Sequence, residues 1–309
     1  MFVRTDNAAR MLRANWASGK GVRLMEAHNG LSAMVASRSK DAAGGAFDGI
    51  WVSSLTCTAS VGLPDLEMSI VDDRLKLIQQ IAQASTKPVI VDADTGGDVS
   101  SLRFLCRALA WMGVAGVIVE EKGLPKRNSL DDSEQALADP HEFGEKLAAA
   151  KAAIEPHDFL VIARIESLIA GRGVRVAVDR ALIYQTAGVD GVLIHSKAKD
   201  AVEVTGFLNA FREAGGTVPV ICIPTTYNTV TGSALFEAGF DGVIYANHQL
   251  RAAHAAMQKT CLSILENDGS FSIENEISTT KGVFDFVGYT AELQTLALRE
   301  SRFRERVAL

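Results

Sequence analysis

Acidic side chains follow two apolar runs that are neighbours along the chain. Asp92 and Asp94 end one run, and Glu120 ends the next. In an extended strand, residues two apart point to the same face, so we expect Asp92 and Asp94 side by side, with Glu120 on the adjacent strand. Carboxylates without nearby His or Cys suit Mg²⁺ or Mn²⁺. A hydrogen-bond network capping helix N-termini is the alternative, and Asp65, in a Gly-Leu-Pro-Asp turn, is a further candidate ligand.

Basic side chains end the next two apolar runs. Arg164 closes one and His195 closes the other. The planar fork of a guanidinium matches a carboxylate or a phosphoryl group, and an imidazole can hold or move a proton near neutral pH. Pairing of Arg164 with Glu166 or Asp92 would satisfy a buried guanidinium equally well, and a lone His at a strand end is commonly structural. Both interpretations stay open on spacing alone.

A long polar segment, residues 121–134, follows the run that ends at Glu120. Gly123 and Pro125 interrupt it, and no helical or strand periodicity runs through it. Because it would emerge beside the acidic residues, we interpret it as a mobile lid over a site. An ordinary solvated loop is the alternative.

Eight apolar, β-branched runs alternate with amphipathic segments, and this alternation predicts parallel strands joined by helices. The runs are Val22–Glu26, Gly49–Ser53, Pro88–Asp92, Gly116–Glu120, Phe159–Arg164, Gly191–His195, Val218–Pro224 and Gly242–Asn247. Eight units predict an α/β fold of the (β/α)8 TIM barrel type, whose chemistry lies at the carboxyl ends of the strands. A doubly wound sheet would alternate similarly, but the Gly-x-Gly-x-x-Gly turn often found after its first strand is absent.

The domain organisation is read from the absence of any linker rich in Pro, Gly or Ser. We predict a catalytic barrel over residues 1–266 and a C-terminal arm over residues 267–309, irregular as far as Gly288 and then helical over 290–306. Apolar residues in that last helix predict that it packs on a neighbouring subunit or on the barrel floor. Residues 37–46 form a predicted surface insertion.

The composition excludes several function classes. Of 309 residues, 48% are hydrophobic and 22% charged, as in a folded globular protein. A formal charge of −6 without a basic tract argues against nucleic-acid and membrane-surface binding, and any attraction to an anionic ligand must be local. The apolar stretches are too short to span a bilayer. Four scattered cysteines and the lack of an apolar N-terminal run predict a cytoplasmic protein with reduced thiols.

Taken together, the motifs resemble the phosphoenolpyruvate mutase family of the isocitrate lyase superfamily, from about Arg23 to Glu266. The matching segments begin at Glu26 (EAHNGLS), Gly49 (GIWVSS), Asp92 (DADTG), Pro125 (PKRNS), Ile162 (IARIE), Ile194 (IHSK) and Tyr245 (YANH). The resemblance implies a (β/α)8 barrel in a homo-oligomer, a dimer or a tetramer built as a dimer of dimers. It also implies that the last barrel helix is exchanged between subunits.

The resemblance further implies a Mg²⁺-dependent reaction that moves the phosphoryl group of phosphoenolpyruvate from oxygen to C3. The product is phosphonopyruvate, the first intermediate of phosphonate biosynthesis. Asp92 would bind the metal directly, and its water ligands would be held by Asp65, Asp94 and Glu120. The pyruvoyl pocket would be lined by Trp51, Ser53, Leu55 and the backbone N–H of Ser54. The phosphoryl group would be surrounded by Arg164, His195 and Asn128, with Lys126 and Ser129 on the lid.

Departures from the family pattern separate the alternatives. The turn Asp94-Thr-Gly-Gly-Asp98 is short, and with Trp51-Val-Ser-Ser54 it resembles mutase domains fused to nucleotidyltransferases; Glu121 stands where Asp is usual. The superfamily's lyases share a Lys-x-Cys-Gly-His loop, and no cysteine occurs here. Phosphonopyruvate hydrolase has a lid resembling Lys-Asp-Thr-Ser, so Asn128 favours the mutase. A non-catalytic barrel would have lost a metal ligand or Arg164, and all are present.

Overall fold

Eight parallel strands pair in sequence order and close on themselves through β1 and β8. The structure is a computed structural model that describes residues 7–66, 71–131, 133–155 and 157–307. The strands are β1 (Val22–Glu26), β2 (Gly49–Val52), β3 (Val89–Asp92), β4 (Gly116–Glu120), β5 (Leu160–Ile165), β6 (Gly191–Ile194), β7 (Val220–Cys222) and β8 (Gly242–Tyr245). The predicted (β/α)8 barrel is confirmed, with strand ends within two residues of those expected.

Helices follow each strand, as the amphipathic segments predicted. They are α1 (Ala8–Ala17), α2 (Gly30–Arg38), α3 (Ser54–Ser60), α4 (Val71–Ala84), α5 (Val99–Trp111), α6 (Pro140–Ala153), α7 (Gly173–Thr186), α8 (Val202–Glu213), α9 (Gly232–Glu237), α10 (His248–Asn267), α11 (Thr280–Val287) and α12 (Tyr289–Val307). In the described part of the chain, none of them is both long enough and apolar enough to cross a membrane.

The barrel interior is filled by aliphatic side chains from its strands. Leu24, Ile90, Ile118 and Ile162 belong to one buried cluster, which also includes Leu12 of α1. An interior packed in this way has no pore, so the polar residues at the carboxyl ends of the strands are held above a solid apolar floor.

Strand register determines which of those residues are neighbours. In the β4–β5 pair, Glu120 lies opposite Arg164, and in the β3–β4 pair, Asp92 lies opposite Ile118. Asp94 falls beyond β3 and has φ of +52°. The predicted alternation therefore stops at Asp92, and the position of Asp94 depends on a turn rather than on the pleat.

The chain divides into two compact units, one ending at Leu250 and one beginning at Arg251. The predicted irregular arm before Gly288 is wrong, because it contains the 3-10 turn Glu274–Glu276 and α11. The Thr279 side chain accepts a hydrogen bond from the Gly282 N–H at the start of α11, and Gly288 ends that helix at φ of +85°. The final helix is confirmed as α12. The division into residues 1–266 and 267–309 stays a prediction.

The predicted insertion, residues 37–46, begins in the last turn of α2, where Ser37 is buried, and continues on the surface beyond that helix. Lys40 and Ala46 form an antiparallel bridge, and the Asp41 carboxylate accepts hydrogen bonds from the N–H groups of Ala43 and Gly45. Residues 38–45 are exposed.

Candidate active site

A pocket opens at the carboxyl end of the barrel, where the sequence analysis located the chemistry. Its walls include most of the predicted site residues, namely Trp51, Ser53, Leu55, Asp65, Asp92, Glu120, Lys126, Asn128, Ser129, Arg164 and His195. Ser54 and Asp94 lie behind this wall. Further lining residues that the sequence analysis did not assign to the site are Leu130, Ile223, Thr225, Ala246 and Asn247.

The β2 end of the pocket is built by a strand that turns directly into a helix. Trp51 is buried at the end of β2, and Ser53 is the extended N-cap residue of α3. The first N–H groups of a helix have no partner within it, so the main-chain N–H groups of Ser54 and Leu55 are donors for an anionic oxygen. The Ser54 hydroxyl is directed elsewhere, to Asp94 at 2.9 Å.

Arg164 is the centre of the opposite wall, where Nε and Nη2 make short hydrogen bonds and Nη1 makes only longer contacts. Nε donates to Oε1 of Glu166 at 2.5 Å, and Nη2 donates to Oγ of Ser129 at 2.8 Å. Nη1 lies 3.5 Å from Oδ2 of Asp92 and 3.7 Å from Oε2 of Glu120. Both pairings considered from the sequence, with Glu166 and with Asp92, are therefore present together in one network.

The lid is tied to this network by a buried lysine. Lys122 Nζ donates to Oγ of Ser129 and to the main-chain oxygen of Arg127, each at 2.7 Å. The Ser129 hydroxyl donates in turn to Oε2 of Glu166 at 2.7 Å. The described part of the predicted lid, which omits Asp132, thus packs over the pocket with Lys126 and Ser129 buried.

Glu166, considered from the sequence only as a partner of Arg164, and Glu121, which was given no role, are both structural. Glu166 would be protonated more easily by burial alone, but Arg164, with Lys122 nearby, outweighs burial and holds its pKa well below the ordinary value. The Glu121 carboxylate lies outside the pocket and accepts hydrogen bonds from the Glu166 N–H, Arg180 and Tyr184. It therefore fixes the main chain that presents Glu166.

His195 is buried against the same network. Burial and the nearby Arg164 lower its pKa, which favours the neutral ring at pH 7. Arg164 Nη2 lies 2.9 Å from Nδ1, closer than Oε1 of Glu166 at 3.2 Å. Because a guanidinium can only donate, Nδ1 accepts this bond, and Nε2 carries the ring proton as a donor.

Asp94 is surrounded by cations. Lys126 Nζ donates to Oδ1 of Asp94, and to Oδ1 of Asp65 at 2.7 Å. Arg74 of α4 donates to Oδ2 of Asp94 and to the main-chain oxygen of Asp92. Burial opposes charge on Asp94, but Arg74 and Lys126 outweigh it and hold the pKa of this carboxyl well below the ordinary value. Sequence reasoning missed Arg74, because a cation in an amphipathic helix normally indicates a solvated face.

The four predicted metal ligands lie at one end of the barrel but are paired with these cations. Among the described residues, no three acidic, His or Cys side chains are grouped as metal ligands. Asp65 and Asp94 turn towards Lys126, and Asp92 and Glu120 turn towards Arg164.

Two of these carboxyl groups still fit a divalent cation. Oε1 of Glu120 is buried and has no hydrogen-bond partner within the described residues. Burial raises the pKa of Glu120 to about 8, and burial together with Asp94 raises the pKa of Asp92. Arg164, near both groups, does not outweigh their burial, so further positive charge is favourable there. Their oxygens are the donors that Mg²⁺ prefers.

Comparison with known proteins identifies the family. The family model for phosphoenolpyruvate phosphomutase matches residues 12–265. The phosphoenolpyruvate phosphomutase of Tetrahymena pyriformis is 38% identical over 267 residues, which cover 86% of each chain.

Two solved structures are similar throughout. That of phosphoenolpyruvate phosphomutase from Streptomyces platensis subsp. rosaceus has a TM-score of 0.88 at 39% identity, covering 94% of this chain and 99% of that one. Phosphonopyruvate hydrolase in complex with oxalate and Mg²⁺ has a TM-score of 0.85 at 32% identity, covering 94% and 98%. With the family model matching most of the barrel, the chain belongs to the phosphoenolpyruvate phosphomutase family.

Proposed function

We propose that this protein is a phosphoenolpyruvate mutase, an isomerase that interconverts phosphoenolpyruvate and phosphonopyruvate. The observation that carries the proposal is the buried fork of Arg164, which faces the pocket between the acidic wall of Asp92 and Glu120 and the lid residues Asn128 and Ser129. A phosphoryl group bound there would meet cationic and neutral donors on one side and carboxylates on the other.

The reaction breaks the bond between phosphorus and the enol oxygen and forms a bond between phosphorus and C3. A loose phosphoryl-transfer transition state requires positioning and charge neutralisation rather than a side-chain nucleophile. Arg164, the Nε2 proton of His195 and the amide of Asn128 supply donors for the phosphoryl oxygens. The N–H groups at the start of α3 supply donors for the oxygens of the pyruvoyl part.

We assign Mg²⁺ to the acidic wall, with Mn²⁺ as a substitute. Asp92 would hold it directly, and Asp65, Asp94 and Glu120 would hold its water ligands. The bound cation would neutralise charge on the enolate and carboxylate oxygens of the substrate. The Mg²⁺ complex of the related phosphonopyruvate hydrolase and the unpartnered oxygen of Glu120 support this assignment.

The lid residues have a second task, which is to exclude water. A phosphoryl group in transit would be captured by water if the pocket were open. The bonds of Ser129 to Glu166 and of Asn128 to Asp65, at 2.7 Å and 2.6 Å, hold the lid segment over the pocket. A cytoplasmic homo-oligomer acting in phosphonate biosynthesis is consistent with this proposal.

Phosphonopyruvate hydrolase is the second candidate function, because a solved hydrolase has nearly the same fold similarity as a solved mutase. The two activities share the pocket and differ in whether water reaches the phosphoryl group. Asn128 of the lid donates a hydrogen bond to Asp65. It favours the mutase, because the hydrolase lid resembles Lys-Asp-Thr-Ser instead.

The test is ³¹P NMR of the purified protein with Mg²⁺ and phosphonopyruvate, since the family resemblance implies that isomerisation runs towards phosphoenolpyruvate. We expect a phosphoenolpyruvate resonance to appear. EDTA should prevent its formation, excess Mg²⁺ should restore it, and the Asp92→Ala variant should not form it. Inorganic phosphate as the first product would make the protein a hydrolase. An unchanged substrate signal would remove both activities.

A further inference from the structure

Arg74 holds the segment from Asp92 to Asp94 from behind the pocket wall. One Nη donates to the carboxylate of Asp94, and the other donates to the main-chain oxygen of Asp92. The Arg74 side chain is only 14% exposed, and it is not among the residues that line the pocket. A single guanidinium therefore bridges both ends of a three-residue segment without access to substrate.

The segment needs such support because its backbone leaves the strand there. Asp94 has φ of +52°, and Gly96 and Gly97 of the short turn that follows have φ of +75° and +65°. The main-chain oxygen of Asp94 still accepts a hydrogen bond from the Glu120 N–H at 2.8 Å, but the side chain lies outside the pleat, so the direction of its carboxylate depends on side-chain partners. These are Ser54, Lys126 and Arg74.

The two cations on Asp94 belong to different kinds of element. Lys126 lies on the lid segment, and it binds Asp94 only while that segment covers the pocket. Arg74 lies on α4, whose Ile78 and Ile81 are fully buried in the core between the barrel and its helices. Opening of the lid would remove Lys126 from Asp94 and leave Arg74 in place.

We propose that Arg74 is a positioning residue that keeps Asp94 and the main chain of Asp92 in the geometry for metal binding, independently of the lid. This inference rests on the proposed function, from which it takes the assignment of a divalent cation to the acidic wall. It assigns the role to the two-point fork of Arg74 and not to its charge alone, because a cation by itself would oppose a bound Mg²⁺.

The experiment measures Mn²⁺ binding without substrate, from the EPR signal of free Mn²⁺, in the wild type and in Arg74→Lys and Arg74→Gln. Lys76→Gln is the matched control, since Lys76 lies on the same helix, is 71% exposed and pairs only with Asp73 in the described structure. We expect both Arg74 variants to bind Mn²⁺ about 10-fold or more weakly, as is typical for loss of a group that orients a metal ligand, and Lys76→Gln to bind normally.

Unchanged or tighter binding in the Arg74 variants would overturn the inference, because loss of charge alone strengthens cation binding. Thermal unfolding with and without Mn²⁺ shows whether each variant is folded. If Arg74→Gln does not fold, Arg74→Lys, which keeps the positive charge, is used for the comparison. Added guanidinium should partly restore Mn²⁺ binding to Arg74→Ala, which loss of the fold would not allow.

The two proposals fail separately. A wild type without mutase activity whose Mn²⁺ binding still depends on Arg74 would remove the proposed function alone. An active wild type whose Arg74 variants bind Mn²⁺ normally would remove the inference alone. A wild type that binds no Mn²⁺ would overturn the metal assignment and this inference together.

Discussion

At the scale of single residues, Asp92 and Asp94 are two positions apart, yet their pKa values shift in opposite directions. Burial and the charge of Asp94 raise the pKa of Asp92, while Arg74 and Lys126 overcome burial and lower that of Asp94. Arg74 and Lys126 outweigh burial at Asp94, whereas the cations near Asp92 and Glu120, with Nη1 of Arg164 at 3.5 and 3.7 Å, do not outweigh it there. Added positive charge is therefore most favourable beside Asp92 and Glu120.

Replacement of Arg164 by Lys keeps a positive charge beside Glu166 but removes the fork. A single ammonium cannot reach Glu166, Ser129 and Asp92 at once, so donors to the phosphoryl group are lost. We expect kcat to fall roughly 100-fold or more, the usual effect of losing one transition-state donor. Rates come from the NMR assay, and Arg103→Lys on the exposed face of α5 is the control. A rate within a few-fold of wild type would contradict the role given to Arg164.

His195 should contribute a pH dependence to stability. Burial and Arg164 lower its pKa below the ordinary 6.5, so in mildly acidic solution the unfolded chain takes up a proton that the folded chain does not. The free energy of unfolding therefore falls as pH decreases through 6.5, by at most about 1.4 kcal/mol per pH unit from this one group.

Urea unfolding of the wild type and of His195→Gln isolates that contribution. The stability of the wild type relative to the variant should decrease as pH is lowered from about 7.5 to about 5.5. A relative stability that stays constant or increases over this range would show that the folded state does not disfavour the protonated ring.

At the scale of elements, the buried Lys122 links the lid segment to the barrel. Lys122 joins the lid at Ser129 and Arg127 to the barrel at Glu166, with 3.4 Å between Nζ and Oε2 of Glu166. An ordinary solvated loop has no such buried charge. The buried ammonium of Lys122 therefore fixes the conformation of this segment through its contacts with the barrel.

Lys122→Met should loosen the lid and change the products. Without the lysine, Ser129 and the main chain of Arg127 lose their donor, so water enters the pocket more often. We expect a larger fraction of inorganic phosphate relative to phosphoenolpyruvate in the NMR assay. Arg127→Gln, whose side chain is exposed on the same segment, should leave the ratio unchanged. An unchanged product ratio in Lys122→Met would mean that the lid does not exclude water.

At the scale of the whole molecule, the unit that begins at Arg251 carries apolar side chains on its surface. Leu262, Leu265 and Phe271 are 56%, 78% and 90% exposed, and no residue of α10 is buried. Exposed apolar residues close together on one unit indicate an interaction surface, and the family resemblance implies that its partner is another copy of the chain.

The oligomer is tested by light scattering after size exclusion. We expect a dimer or tetramer for the wild type and a smaller species for the double variant Leu262→Glu with Leu265→Glu. As a control, Val202→Glu adds one glutamate at a side chain of α8 that is 74% exposed, and it should leave the mass of the oligomer unchanged. A monomeric wild type would remove the predicted homo-oligomer and the exchange of its last barrel helix.

Residue types and their spacing were enough to predict the barrel and most of the residues that line the pocket. Short apolar runs and the segments between them have periodicities that local geometry imposes, and eight such units without a Gly-x-Gly-x-x-Gly turn favour a closed barrel over a doubly wound sheet. Residues at the carboxyl ends of parallel strands meet at one end of a barrel however the helices pack. The amino-acid sequence therefore suffices to bring Arg164, His195, Asp92 and Glu120 together.

The pairing of charges, in contrast, depends on the tertiary structure. Lys126 bridges to Asp65 across 61 positions, and Arg74 reaches Asp94 from a helix whose sequence pattern would equally suit a solvated cation. The helical region between residues 280 and 287 was likewise missed. Pairing requires distances that exist only after helices and lid have packed on the barrel, and burial that makes each unpaired charge costly. Neither quantity can be read from residue types and their spacing.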